Sequence, residues 1–147
     1  MKNMENKVLV DTNILLDYFL KREPFFQHAR KIIALCKSEK IHGCIASHSI
    51  SNMFYILRKE YSSKERRILL MDLCSIFEVV GIDKDKLIDG LKNENFSDFE
   101  DCLQMECAKE FGAKYIVTRN IEDYKTSEIM AITPEEYFAV SENNGLN

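Results

Sequence analysis

The chain is short of residues that break or cross-link a fold. Only two prolines (Pro24, Pro134) and five glycines interrupt its 147 residues. Long flexible linkers are therefore excluded, and at about 150 residues per domain a single domain spanning 1–147 is expected. The five cysteines (Cys36, Cys44, Cys74, Cys102, Cys107) are odd in number and form no CxxC pair. That excludes a disulfide framework and points to a reducing cytoplasmic setting. No apolar run approaches the ~18 residues of a membrane helix, so no membrane role is expected. The opening Met1-Lys2-Asn3-Met4-Glu5-Asn6-Lys7 lacks an apolar core, so no secretory signal is expected. Positive charge is not in excess: the net charge is −4, so any contact with nucleic acid must come from a local basic patch.

What is present is an alternation of two patterns. Short apolar runs read as strands: Val8-Leu9-Val10, Cys44-Ile45-Ala46, Phe77-Glu78-Val79-Val80, Tyr115-Ile116-Val117 and Ile129-Met130-Ala131-Ile132. Nearly continuous apolar strands are buried on both faces, the signature of a parallel sheet. Between them lie helical stripes: Phe26, Ile32, Ile33, Leu35 and Cys36; Ile50, Met53, Phe54, Ile56 and Leu57; Ile68, Leu69, Met71, Leu73 and Cys74; Phe99, Leu103, Cys107 and Phe111. The expected fold is α/β, a three-layer α/β/α sandwich around a central, mainly parallel sheet of about five strands. Its core covers about residues 7–140, and Ser141–Asn147 is expected to fray.

In such sheets ligands bind beyond the carboxyl ends of the strands. Asp11-Thr12-Asn13 follows the first strand, Ser47-His48-Ser49 the second, and Thr118-Arg119-Asn120 the fourth, with Asp123 three residues on. A further acidic run, Ser97-Asp98-Phe99-Glu100-Asp101, opens a helix. Ser97 and Glu100 have the spacing of a capping box, which assigns Glu100 to the cap; for Asp98 a capping role and a functional one are both open. Asp98 and Asp101 share a helix face apart from Phe99, Leu103 and Cys107, and Asp101 lies beyond the capping positions. Carboxylates gathered at one sheet edge repel unless a cation joins them, and hard oxygen ligands suit Mg²⁺ or Mn²⁺. Such ions promote phosphodiester cleavage by activating water and neutralising phosphate charge.

Other signals carry less. There is no glycine-rich phosphate loop and no G-x-S-x-G elbow. His42, Cys44 and His48 match no zinc spacing, and the cysteines read as buried thiols. A phosphatase or receiver domain is disfavoured because the first strand ends in Asp-Thr-Asn, without their paired acids. Residues 58–67 hold five basic and two acidic side chains, which fits either a solvated helix end or an RNA-backbone contact. Tyr18, Phe19, Phe25 and Phe26 read mainly as core, with base stacking or contact with a partner protein as the alternative.

Val10-Asp11-Thr12-Asn13, Asp98-Phe99-Glu100-Asp101 and Val117-Thr118-Arg119-Asn120-Ile121-Glu122-Asp123-Tyr124, in that order, resemble the PIN-domain family, including VapC-like toxin ribonucleases. The resemblance implies a PIN fold and a Mg²⁺- or Mn²⁺-dependent endoribonuclease acting on single-stranded RNA. It also implies a cognate antitoxin as partner, with a homodimer left open. Asp11 and Asp101 match family acids, and Asp98 is an extra carboxylate beside them. Two positions depart: Asn52 aligns where the family carries an acid, and Thr118-Arg119-Asn120 stands where it has Thr-x-Asp, so Asp123 is a substitute candidate. The metal set implied is Asp11, Asp101, Asp98 and Asp123, with Thr12, Asn13, Asn52, Thr118 and Asn120 around it. The alternative is a catalytically weak PIN fold that binds RNA or a protein partner.

Overall fold

A computed structural model describes residues 6–143. The elements run β1 (Lys7–Val10), α1 (Thr12–Phe19), α2 (Phe26–Lys37), β2 (His42–Ala46), α3 (Ser47–Ile56), α4 (Ser63–Ile76), β3 (Glu78–Val80), α5 (Lys84–Lys92), α6 (Phe99–Phe111), β4 (Tyr115–Val117), β5 (Met130–Ile132) and α7 (Pro134–Asn143). Single 3-10 turns occupy Leu57–Lys59 and Ile121–Tyr124. The five strands form one sheet in the order β3-β2-β1-β4-β5, with every neighbouring pair parallel.

Side chains alternate across the strands and so divide the core in two. Val8, Val10, Ile45, Val117 and Ile132 face one layer with buried residues of α1, α2, α4 and α7. Leu9, Cys44, Ala46, Val80 and Ile116 face the other, against Cys102, Met105, Cys107 and Ala108 of α6. The three-layer sandwich expected from the sequence is therefore present. Burial on both faces holds for the inner strands but not for the edges: Val79 of β3 is 37% exposed and Met130 of β5 is 66% exposed.

Other expectations need correction. Phe77 ends α4 rather than starting β3, because its amide still bonds to Leu73. The inward stripe of α4 is Leu70 and Leu73, while Ile68 and Met71 face outward. Cys74 is exposed, unlike the other four thiols. Helices α1, α5 and α7 were not among the sequence stripes; in α5 only Lys86 and Gly90 are buried, so it leaves almost no apolar pattern. Ser141, the first residue of the expected tail, is buried in α7, and its hydroxyl donates to the Phe138 carbonyl at 3.0 Å. The rest of the expected tail, from 144 onward, lies outside the described residues.

Two glycines fix close contacts. A Cβ at Gly43 in β2 would stand 2.7 Å from Cys36 Sγ and 2.8 Å from the Phe77 ring. Gly112 ends α6 at φ 78°, a left-handed cap that favours glycine. The strand order reverses direction between β1 and β4, the switch point of the sheet. Crossovers leave on opposite sides there and open a crevice. Asp11 and Thr118 sit at its two carboxyl ends.

Candidate active site

Asp11 continues the β1 ladder, its amide donating to the Val117 carbonyl at 3.0 Å. Its side chain is 3% exposed. Burial raises its pKa; hydrogen bonds from Thr118 and Gln104, the Thr12 amide and the Arg119 charge oppose that rise. Thr118 Oγ1 donates to Oδ2 and Gln104 Nε2 donates to Oδ1, each at 2.8 Å. Thr118 is fully buried behind the carboxylate, and its hydroxyl in turn accepts from the Asn120 amide at 3.0 Å.

Helix α6 carries the second set of acids. The expected Ser97 capping box does not form. Asp98 is the N-cap, accepting from the Glu100 amide at 2.8 Å and the Asp101 amide at 3.3 Å. Both bonds fall on Oδ1, so capping leaves the second oxygen outside the cap. Freed from the cap, Glu100 accepts from Asn52 Nδ2 at 3.4 Å. Asp101 is half-buried, and the hydroxyl of the buried Tyr124 donates to its Oδ1 at 3.3 Å. Its carboxyl is pushed up to about 7, first by burial and then by the charges of Asp98, Asp11 and Asp123.

These groups meet in a cavity of about 220 Å³. Its carboxylates are Asp11, Asp98, Glu100 and Asp101; its amides are Asn13, Asn52 and Gln104; Thr12, His48, Leu16 and Ile56 complete the wall. A larger hollow of about 460 Å³ beside Phe19 and Tyr61 has a single acid, Glu60. Chemistry rather than size therefore singles out the smaller cavity. Thr12 shares a short bond with Ser49, their hydroxyl oxygens 2.6 Å apart, which ties α1 to α3. His48 is held toward its neutral form by burial, against the charges of Glu100 and Asp98.

Of the residues expected from the sequence, Asp11, Thr12, Asn13, Asn52, Asp98 and Asp101 line this cavity. Thr118 stands behind Asp11. Asn120 and Asp123 lie outside the lining, although the Asp123 charge reaches Asp101. Sequence reasoning missed Gln104 and Tyr124, and it gave Glu100 only a cap. Gln104 left a signal: it is a lone polar residue inside the buried run Cys102-Leu103-Gln104-Met105, three positions after Asp101. Tyr124 left none, because its placement depends on the 3-10 turn.

Among the described residues no three His, Cys, Asp or Glu side chains close around a single point as an ion cage. The acidic donors are nonetheless oxygen groups, and burial together with the charges of Asp98, Asp11 and Asp123 raises the Asp101 carboxyl. That fits a hard cation held by one or two carboxylates that keeps several of its waters, the usual habit of Mg²⁺.

Part of the basic segment and the aromatic run make contacts within the chain. Arg66 donates to the Phe54 carbonyl at 2.6 Å and covers its ring, and Arg58 stacks on Tyr55. Tyr18 stacks on Phe26, Phe19 is buried, and Phe25 lies under Arg119. Arg119 makes a two-point ion pair with the fully buried Asp17, at 2.8 and 3.1 Å.

Comparison with known proteins agrees with this fold. The chain is 28% identical over 135 residues to Ribonuclease VapC1 from Aquifex aeolicus (strain VF5), covering 89% of this chain and 92% of that protein. A chain in a toxin-antitoxin complex from Klebsiella pneumoniae superposes with a TM-score of 0.64 at 21% identity, covering 86% of this chain and 97% of the other. A chain of VapBC2 from Rickettsia felis, solved bound to a DNA fragment from its promoter, gives 0.62 at 17% identity over 86% and 98%. No helix among the described residues is long and apolar enough to cross a membrane. Residues 7–122 match the family described as PIN domain, and the chain belongs to that family.

Proposed function

We propose that this chain is a metal-dependent endoribonuclease that cleaves single-stranded RNA and acts in the cytoplasm as the toxin of a toxin–antitoxin pair. The observation that carries this reading is the group of carboxylates at the switch point, with Asp101 pushed up to about 7 first by burial and then by the charges of Asp98, Asp11 and Asp123. Similarity to a ribonuclease and to chains in toxin–antitoxin complexes supports it. The residues 1–147 act as one domain in this reading.

Asp11, Asp101 and Asp98 would hold Mg²⁺ or Mn²⁺, with Asp123 adding charge from outside the cavity. Bound there, the ion supplies Lewis acidity toward a phosphate oxygen and lowers the pKa of a bound water. The chain's own residues fix the geometry. Thr118 and Gln104 hold the Asp11 carboxylate from behind, and Tyr124 holds Asp101. Thr12 and Asn13, at the start of α1, and Asn52, on α3, offer neutral polar groups to an RNA strand crossing the cavity mouth. A cognate antitoxin would block that mouth, and a second copy of the chain is a further candidate partner.

The rival reading is a weakly catalytic module that binds RNA or a protein. Asn52 and Asn120, amides where acids are expected, favour it. The decisive assay incubates labelled single-stranded RNA with the protein in Mg²⁺, in Mn²⁺ and in EDTA, beside Asp101→Asn. Cleavage that EDTA and Asp101→Asn both abolish is the expected result. RNA binding without cleavage in either metal would replace the nuclease reading with the rival.

A further inference from the structure

We infer that Gln104 is a positioning residue for the divalent-cation site, anchoring Asp11 through Nε2 and presenting Oε1 as an acceptor for water carried by the cation. The inference rests on the metal-dependent reading above. Gln104 lies in the middle of α6, 3% exposed, between the buried Leu103 and Met105. An apolar side chain would fill this position without any polar cost. Instead the amide donates to Asp11 Oδ1 at 2.8 Å. A carboxylate that binds a cation is ionised and only accepts, so Nε2 faces Asp11 and Oε1 faces away. Among the described residues Oε1 has no hydrogen-bond partner. A buried acceptor left unpaired is destabilising, and such groups are rare in folded proteins.

A hydrated cation accounts for both halves of the amide. Thr118 and Gln104 each take one lone pair of the Asp11 carboxylate, one on each oxygen, and so fix its rotamer. Each oxygen keeps lone-pair capacity for the cavity that Asp11 and Gln104 both line. Mg²⁺ and Mn²⁺ are commonly held by few carboxylates with waters completing the shell, and Mg²⁺ sheds those waters reluctantly. The hydrogens of such waters need acceptors. Gln104 lines the same cavity, and its Oε1 is buried with no partner among the described residues. Partners that orient ligand carboxylates commonly change metal affinity 10–100-fold when removed.

The test measures Mn²⁺ binding by calorimetry on the full chain, wild type beside Gln104→Met and Gln104→Asn. Methionine keeps the volume and removes both polar atoms; asparagine keeps the amide but shortens its reach. Each variant is expected to stay folded in EDTA and to bind Mn²⁺ about 10-fold more weakly or worse. Should Gln104→Met fail to fold, the asparagine variant carries the test. The loss should be larger for Mg²⁺, which keeps its waters, than for Ca²⁺. Equal losses for the two ions would overturn the acceptor role of Oε1. A wild type that binds Mn²⁺ beside variants that bind within twofold of it would overturn the inference and leave the cation reading standing. A wild type that binds no Mn²⁺ would overturn both.

Discussion

Replacing Asp101 by Asn should make the metal-free protein more stable at neutral pH, an unusual outcome for a half-buried side chain on a core helix. Asn keeps an oxygen to accept the Tyr124 hydroxyl, so the bond to Asp101 Oδ1 has a successor. What disappears is a charge forced to sit beside Asp98, Asp11 and Asp123. The folded carboxyl titrates at about 7 against a reference of 3.8. Its folded value is raised, so the folded state holds the proton more tightly. Stability from this group is complete below about pH 3.8 and is lost as pH rises toward 7. At about 1.36 kcal/mol per pH unit, that interval bounds the loss at about 4 kcal/mol. Asp101 keeps solvent contact, and screening reduces the effect to on the order of 1–2 kcal/mol. For a chain of this size that corresponds to a rise in Tm of roughly 3–7 °C.

The assay is denaturant unfolding in EDTA at pH 5, 6, 7 and 8 for wild type and Asp101→Asn. The two should converge toward pH 5, and the variant should lead at pH 8. Saturating Mn²⁺ should then reverse the order, since a ligand at 100 times its Kd adds about 2.7 kcal/mol to the form that binds it. A variant less stable than wild type at pH 8 in EDTA would refute the reasoning, because Asp101 would then be a structural group with a net favourable role.

Three further perturbations test the frame around the site. Gly43→Ala should cost about 1–3 kcal/mol in chemical unfolding, since its Cβ would stand 2.7 Å from Cys36 Sγ on a fully enclosed strand. Asp17→Asn should cost roughly 2–4 kcal/mol by the same measurement; it strands Arg119, though the arginine's 27% exposure keeps the loss below that of a wholly buried pair. Tyr124→Phe removes the donor to charged Asp101, so that carboxyl should rise above about 7 when followed by NMR titration. Its stability cost should be about 1 kcal/mol above that pH and smaller at pH 5, where the carboxyl is protonated.

The fold was largely legible because its inner strands are apolar on both faces and helices such as α2 carry a clear stripe. Val8-Leu9-Val10 and Tyr115-Ile116-Val117 each split their residues between the two core layers. Legibility failed where burial was slight. Helix α5 buries only Lys86 and Gly90, and Lys86 stays there through ion pairs with Glu110 and Asp83. On α4 the stripe was misread by one face, because Ile68 and Met71 are apolar yet exposed. At the site, strand-end position marked Asp11, and helix position marked Asp101. Of the neutral donors that hold them, Thr118 is marked by its strand end, Gln104 leaves only a lone polar position in a buried run, and Tyr124 leaves no signal. Gln104 and Tyr124 reach the acids only through the packing of α6 and the Ile121–Tyr124 turn against the sheet.

The two amides at positions expected to be acidic look different once the bonds are traced. Asn120 acts through its backbone. Its N–H donates to Thr118 Oγ1, and that hydroxyl donates to Asp11 Oδ2, so polarisation passes along a chain ending on the buried carboxylate. Any residue but proline provides that N–H, so the loss of an acid at 120 leaves the relay intact. Asn52 faces an acid across the cavity. Its amide donates to Glu100, which lines the same wall while Asp98 serves as the N-cap of α6. An acid therefore stands beside position 52 on α6, one residue from Asp101. The departures in sequence redistribute charge around the cavity while its wall keeps four carboxylates, Asp11, Asp98, Glu100 and Asp101.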